Sequence, residues 1–68
     1  MREKLIRDYM IATGGDPYLP EGVIKDIITA GEWVMFTVSS SCGQPYYQSY
    51  QIQMFDIVAW VYSEKADG

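Results

Sequence analysis

Sixty-eight residues with nine acids, five bases, no histidine and one cysteine carry a net charge of −4. That composition excludes an internal disulfide and leaves no usable ligand set for a structural zinc. It also argues against general nucleic-acid binding, which needs a basic stripe to displace counterions from phosphate.

The length fits one small domain over residues 1–68. A chain this short buries only about 60% of the surface its unfolded form exposes, so dense aromatic packing or self-association must compensate. No apolar run reaches the ~18 residues of a membrane span. The unpaired Cys42 points to a reducing compartment. The expectation is a cytoplasmic protein with no membrane association.

Residues 1–13 read as an amphipathic helix, with Leu5, Ile6, Tyr9, Met10 and Thr13 at helical spacing. Glu3 and Arg7 form an i,i+4 pair in the favourable order. Gly14-Gly15 closes the helix, because glycine takes the left-handed conformation without steric cost. Residues 16–19 form a turn. Pro20 opens a second helix with Glu21 in its first turn, Val23, Ile24, Ile27 and Ile28 on one stripe, and Lys25 and Asp26 facing away. Gly31 ends it. The β-branched content makes this a weak helix former, and a strand over residues 23–29 is the competing reading.

Residues 32–38 read as a strand with apolar side chains on both faces, hence central and covered on both sides. A turn-rich loop spans residues 39–45. Residues 46–53 alternate: Tyr46, Gln48, Tyr50 and Ile52 share one face, and Tyr47, Ser49, Gln51 and Gln53 the other, which is polar enough to be solvated. Residues 57–63 read as a third strand because Ile57, Val58, Trp60, Val61 and Tyr62 favour sheets, although Met54, Ile57, Val58, Val61 and Tyr62 also match a helical stripe. The polar tail over residues 64–68 is expected to fray. The expected fold is α+β: two N-terminal helices packed on a three-stranded antiparallel β-meander. Trp33, Phe36, Val58 and Trp60 are its expected core.

Catalytic sets are hard to assemble. Ser39, Ser40, Ser41 and Cys42 are candidate nucleophiles, but no histidine can activate them and no base lies near in sequence to lower the thiol pKa. Asp56, between Phe55 and Ile57, reads as a turn or strand-entry residue bonding nearby N–H groups. Gly14-Gly15-Asp16 lacks the lysine and hydroxyl of a phosphate loop. Arg2, Lys4 and Arg7 are interleaved with Glu3 and Asp8, as on a solvated helix face. The expectation is a non-enzyme with no cofactor and no metal.

The unusual feature is the tyrosine-rich segment. Tyrosine buries large area at small entropic cost and concentrates at interface centres. Tyr46, Tyr47, Tyr50, Gln51 and Gln53 are therefore the candidate partner-binding residues, with Asp16, Glu21 and Glu32 as a charged rim.

The ending Phe55-Asp56-Ile57-Val58-Ala59-Trp60-Val61 resembles the Asp-Ile-Ile/Val-Ala-Tyr-Arg ending of many short bacteriophage and prophage proteins, with Val61 where those carry arginine. Gly31-Glu32-Trp33-Val34 also resembles a strand start in such proteins. The resemblance covers about a quarter of the chain. It implies a final strand and a phage accessory protein, a class that binds and inhibits a host enzyme or defence complex. The leading expectation is thus a small acidic binding protein with a host protein partner. The rivals are an oligomer that binds a nucleotide between aromatic side chains, with Arg2 or Arg7 lent by a neighbouring subunit, and a structural or assembly subunit of a virion.

Overall fold

The computed structural model describes residues 2–19, 21–40 and 46–67, without the side chains of Ala66 and Asp67. Five elements follow in order: helix α1 (Glu3–Ala12), strands β1 (Val23–Ala30), β2 (Trp33–Ser39) and β3 (Tyr47–Gln53), and helix α2 (Met54–Asp67). The strands form one antiparallel sheet in the order β1-β2-β3. The fold is α+β with two helices and three strands, but the helices bracket the sheet in sequence. The expected second N-terminal helix is a strand, and the expected third strand is a C-terminal helix.

The first of these corrections has a local cause. Asp26 takes φ 58, and the β1–β2 register shifts between Lys25 and Ile28. This bulge adds a residue to β1. Ile24 is buried and Ile27 packs partly against the same core, while Ile28 is turned to the other side. Inward positions three apart imitate a helical stripe. The β-branched side chains still suit the pleated surface better. The expected helix start at Pro20, like most of the 39–45 loop with Cys42, lies outside the described residues.

The second correction comes from α2 being apolar in nearly every direction from Met54 to Tyr62, Asp56 excepted. Its β-branched and aromatic residues favour a strand, but the stripe of Met54, Ile57, Val58, Val61 and Tyr62 is the one the fold uses. Its backbone leaves β3 without a loop, and the Met54 N–H donates to the Glu32 carbonyl at 2.8 Å. Asp56 stands in the first turn and Lys65 in the last, each matching the helix dipole. The polar stretch from Ser63 to Asp67 continues this helix.

Helix α1 begins and ends close to expectation. Gly14 sits at φ 67, its N–H donates to the Ile11 carbonyl at 3.2 Å, and that of Gly15 donates to Met10 at 2.9 Å. This is the paired closure of a Schellman motif. Lys4 pairs with Asp8 at 2.9 Å, and Arg7 Nε donates to Glu3 at 3.1 Å. Gly31, at φ 61, is the first residue of the two-residue Gly31-Glu32 turn joining Ala30 to Trp33, where a hairpin requires a positive φ.

Ile6 and Met10 of α1, Leu19, Ile24 of β1, Val34, Phe36 and Val38 of β2, and Ile57 of α2 make one core. Both helices lie on the side of the sheet to which the even-numbered residues of β2 point. Among the described residues no element covers the opposite side, which corrects the expectation of a strand covered on both faces. Phe36 is in the core as expected. Trp33 is instead 36% exposed on the open side, and Val58 is exposed on α2. Trp60 is half-buried, its ring edge-on to Tyr9 with centroids 5.8 Å apart. Among the described residues no helix is long and apolar enough to cross a membrane.

Candidate functional site

A buried carboxylate sets the orientation of β3. Asp16 follows the glycine pair that closes α1 and is only 5% exposed. Its Oδ1 accepts the Tyr18 N–H at 2.7 Å, the local bond expected of an aspartate in an Asp-Pro turn. Its Oδ2 accepts the Tyr46 hydroxyl at 2.9 Å and the Tyr50 hydroxyl as well. The Tyr18 ring lies on Tyr46 with centroids 4.0 Å apart, and Tyr50 stacks on Phe36 at 5.5 Å.

Burial alone would raise the Asp16 carboxyl. The Tyr50 hydroxyl, the Tyr18 N–H and the Tyr46 hydroxyl together outweigh it and hold the group below its ordinary 3.8. Burial, reinforced by the bond to Asp16, pushes the Tyr50 phenol well above its ordinary 10.0. Hydrogen bonding with Tyr50 pulls the Tyr46 phenol down, but burial and the bond to Asp16 carry it above 10.0. The cluster ties the turn after α1 to β3.

Because successive strand residues point to opposite faces, a Tyr50 held on the helix side puts Tyr47, Ser49, Gln51 and Gln53 on the open side. There Ser39 faces Tyr47, Thr37 faces Ser49, Met35 faces Gln51 and Trp33 faces Gln53 across the β2–β3 ladder. Tyr47 is 63% exposed and Ile28, beside Met35 on β1, is 55% exposed. A shallow hollow of ≈ 410 Å³ lies among them, with Ile28, Met35 and Tyr47 on its walls and Asp26, Ser49 and Gln51 supplying polar groups. The Thr37 hydroxyl donates to the Lys25 carbonyl at 3.1 Å and stands 3.4 Å from Asp26 Oδ2.

The eight residues expected to bind a partner therefore separate. Tyr47, Gln51 and Gln53 share the open face. Tyr46, Tyr50 and Asp16 join each other on the helix side. Glu21 and Glu32 are exposed beyond opposite ends of β1, itself roughly 23 Å long at strand rise, and form no common rim. Asp26, Ile28 and Met35 belong to the hollow and were not among the expected binding residues. The available signal was the Lys25-Asp26 interruption of an isoleucine-rich run, which as a strand demands a bulge.

A second apolar surface runs along α2, where Phe55 is 73% and Tyr62 71% exposed. A smaller cleft of ≈ 280 Å³ lies between Leu5 of α1 and Val58, Val61 and Tyr62 of α2. Among the described residues no group of three or more His, Cys, Asp or Glu is placed to hold a metal. No protein-family model, curated protein or solved structure matches this chain.

Proposed function

We propose that the chain is a non-enzymatic binding protein that acts by laying its open sheet face against a protein partner. The observation that carries this reading is the composition of that face. Antiparallel sheets packed on one side usually present polar side chains on the other. Here Ile28, Trp33, Met35 and Tyr47 stand beside Ser49, Gln51 and Gln53. Aromatic and methionine side chains with hydrogen-bonding neighbours make the core of protein interfaces, and the charged Lys25 and Asp26 stand to one side of this face on the edge strand β1. A broad face with only a shallow, open hollow suits a partner surface better than an enclosed small molecule.

The resemblance of the Phe55–Val61 ending to short phage proteins extends this reading to an accessory protein of phage type that modulates or inhibits a host protein in the cytoplasm. Tyr47, Gln51 and Gln53 are assigned to the contact. Asp16, Tyr46 and Tyr50 hold β3 in the register that presents them.

The test is capture of partners by the tagged chain from extracts of the cells that make it. Wild type is compared with a Tyr47→Ala, Gln51→Ala double variant and with a Phe55→Ala, Tyr62→Ala double variant on α2. Loss with the sheet pair and retention with the α2 pair is expected. The reverse pattern rejects the assignment.

A further inference from the structure

We infer that Asp26 anchors an arginine side chain of the partner in the hollow of the open sheet face, an inference that rests on that face being the binding surface. The first observation is backbone geometry. Asp26 is the one non-glycine residue at positive φ among the described residues, and it sits inside a strand. Glycine takes this conformation freely and asparagine is next best. Aspartate is among the few side-chain-bearing residues that tolerate it, and here it sets a carboxylate on the bulge. Bulges recur where a strand must re-aim a side chain, and strained residues concentrate at functional positions.

The second observation is where that carboxylate lies. Asp26 helps line the hollow with Ile28, Met35, Tyr47, Ser49 and Gln51. Its described polar contact is the Thr37 hydroxyl at 3.4 Å, whose one proton is shared with the nearer Lys25 carbonyl at 3.1 Å, so most of its acceptor capacity is open. The ion pairs among the described residues, Lys4 with Asp8 and Arg7 with Glu3, are both on α1. Lys25 faces Thr37 across the ladder and so projects from the same open side, but it does not line the hollow and makes no described ion pair with Asp26.

The third observation is chemical fit. A carboxylate, the Ser49 hydroxyl and the Gln51 amide oxygen spread several acceptors across one concave surface. A guanidinium carries five N–H donors in a plane and is weakly hydrated, so it can stack on the exposed Tyr47 ring while its stem lies along Ile28 and Met35. An ammonium offers a compact point charge and uses this layout poorly. The net charge of −4 favours approach of a basic partner.

The test uses the full chain, 15N-labelled, titrated by NMR with N-acetyl-arginine amide, N-acetyl-lysine amide and N-acetyl-citrulline amide. Citrulline keeps the shape of arginine without the charge. The expected result is saturable shifts at the amides around Asp26, Thr37, Ser49 and Gln51 with arginine, weaker ones with lysine and none with citrulline. Asp26→Asn should weaken the arginine response roughly tenfold or more, a step of about 1.4 kcal/mol. Asp26→Gly should do the same while folding at least as stably as wild type. Equal responses to arginine and citrulline, equal responses to arginine and lysine, or an undiminished response in Asp26→Asn would each overturn the inference. If capture of the natural partner fails with Tyr47→Ala, Gln51→Ala but survives Asp26→Asn, the sheet-face reading stands and the arginine anchor falls. If capture survives the sheet pair, the sheet-face reading falls, and the arginine titration still judges the hollow.

Discussion

Tyr50 and Asp16, thirty-four residues apart, share a hydrogen bond on the helix side of the sheet. The phenol reaches over Phe36 to the carboxylate in the turn after α1, and this pins the alternation of β3. A one-residue slip would reverse every side chain of that strand. Tyr47, Ser49 and Gln51 would then point into the core and leave no binding face. The bond is structural, yet the proposed function depends on it.

Removing the Tyr50 hydroxyl should therefore weaken the fold without touching the open face. Tyr50→Phe keeps the stack on Phe36 and loses one charge-assisted bond, a cost of about 1.5 kcal/mol. In a chain this size, ~1 kcal/mol lowers Tm by roughly 4–8 °C. Asp16→Ala loses three bonds at once and should cost more, roughly 2 kcal/mol. Thermal unfolding followed by circular dichroism gives both numbers. Equal stability of all three chains would show that the cluster holds nothing in place.

The same cluster predicts a pH range of stability. The Asp16 pKa is lowered in the folded state, so its contribution is present above the unfolded value of 3.8 and is lost as pH falls through the folded value. The Tyr50 pKa is raised, so its contribution is full below the unfolded value of 10.0 and is lost as pH climbs from there towards the folded value. Stability should fall below pH 3.8 and again above pH 10.0. In Tyr50→Phe the alkaline fall should be smaller. Ultraviolet titration of the phenols alongside circular dichroism checks this. Tyr50 should ionise with unfolding rather than before it.

Ile57 is the one fully buried residue of helix α2 among those described, with Met54 and Trp60 half-buried beside it. Ile57 is fully buried, whereas Phe55 two positions earlier is largely exposed. Ile57→Ala should cost about 2–5 kcal/mol, and Phe55→Ala should stay within about 0.5 kcal/mol. A strand at this position would put Phe55 and Ile57 on the same face and make the two losses alike. Urea titration of the two variants separates these cases.

Legibility in the sequence varied with the strength of the local period. Helix α1 has a clean apolar stripe and a glycine pair at its end, and both mean what they suggest. The alternation of β3 also places Tyr47 and Gln51 outward. Strand β1 misleads because its bulge at Asp26 brings Ile24 and Ile27 to one side three residues apart, which is helical spacing. Helix α2 misleads for a different reason: its helical stripe of Met54, Ile57, Val58, Val61 and Tyr62 is present, but its β-branched and aromatic residues favour a strand, and tertiary packing overrides that propensity. The Asp16–Tyr46–Tyr50 cluster was half visible. All three residues stood out, but nothing in a linear chain brings a turn at residue 16 to a strand thirty residues later. The hollow depends on the bulge and was hidden with it.

Backbone strain at Asp26 gives a stability prediction separate from binding. Asp26→Gly removes the side chain from a position with φ 58 and should leave Tm equal or higher. Asp26→Val puts a β-branched side chain where it fits worst and should cost about 1–2 kcal/mol. A higher Tm for the valine variant than for glycine would show that β1 does not contain this bulge.

The most direct test of the central claim is partner capture with the sheet-face variant, after its Tm has been shown to match wild type. A protein enriched by the wild-type chain should be reduced roughly tenfold or more by Tyr47→Ala, Gln51→Ala, in keeping with residues at an interface centre. Undiminished capture by that variant, or no enriched protein with the wild type, would contradict that claim.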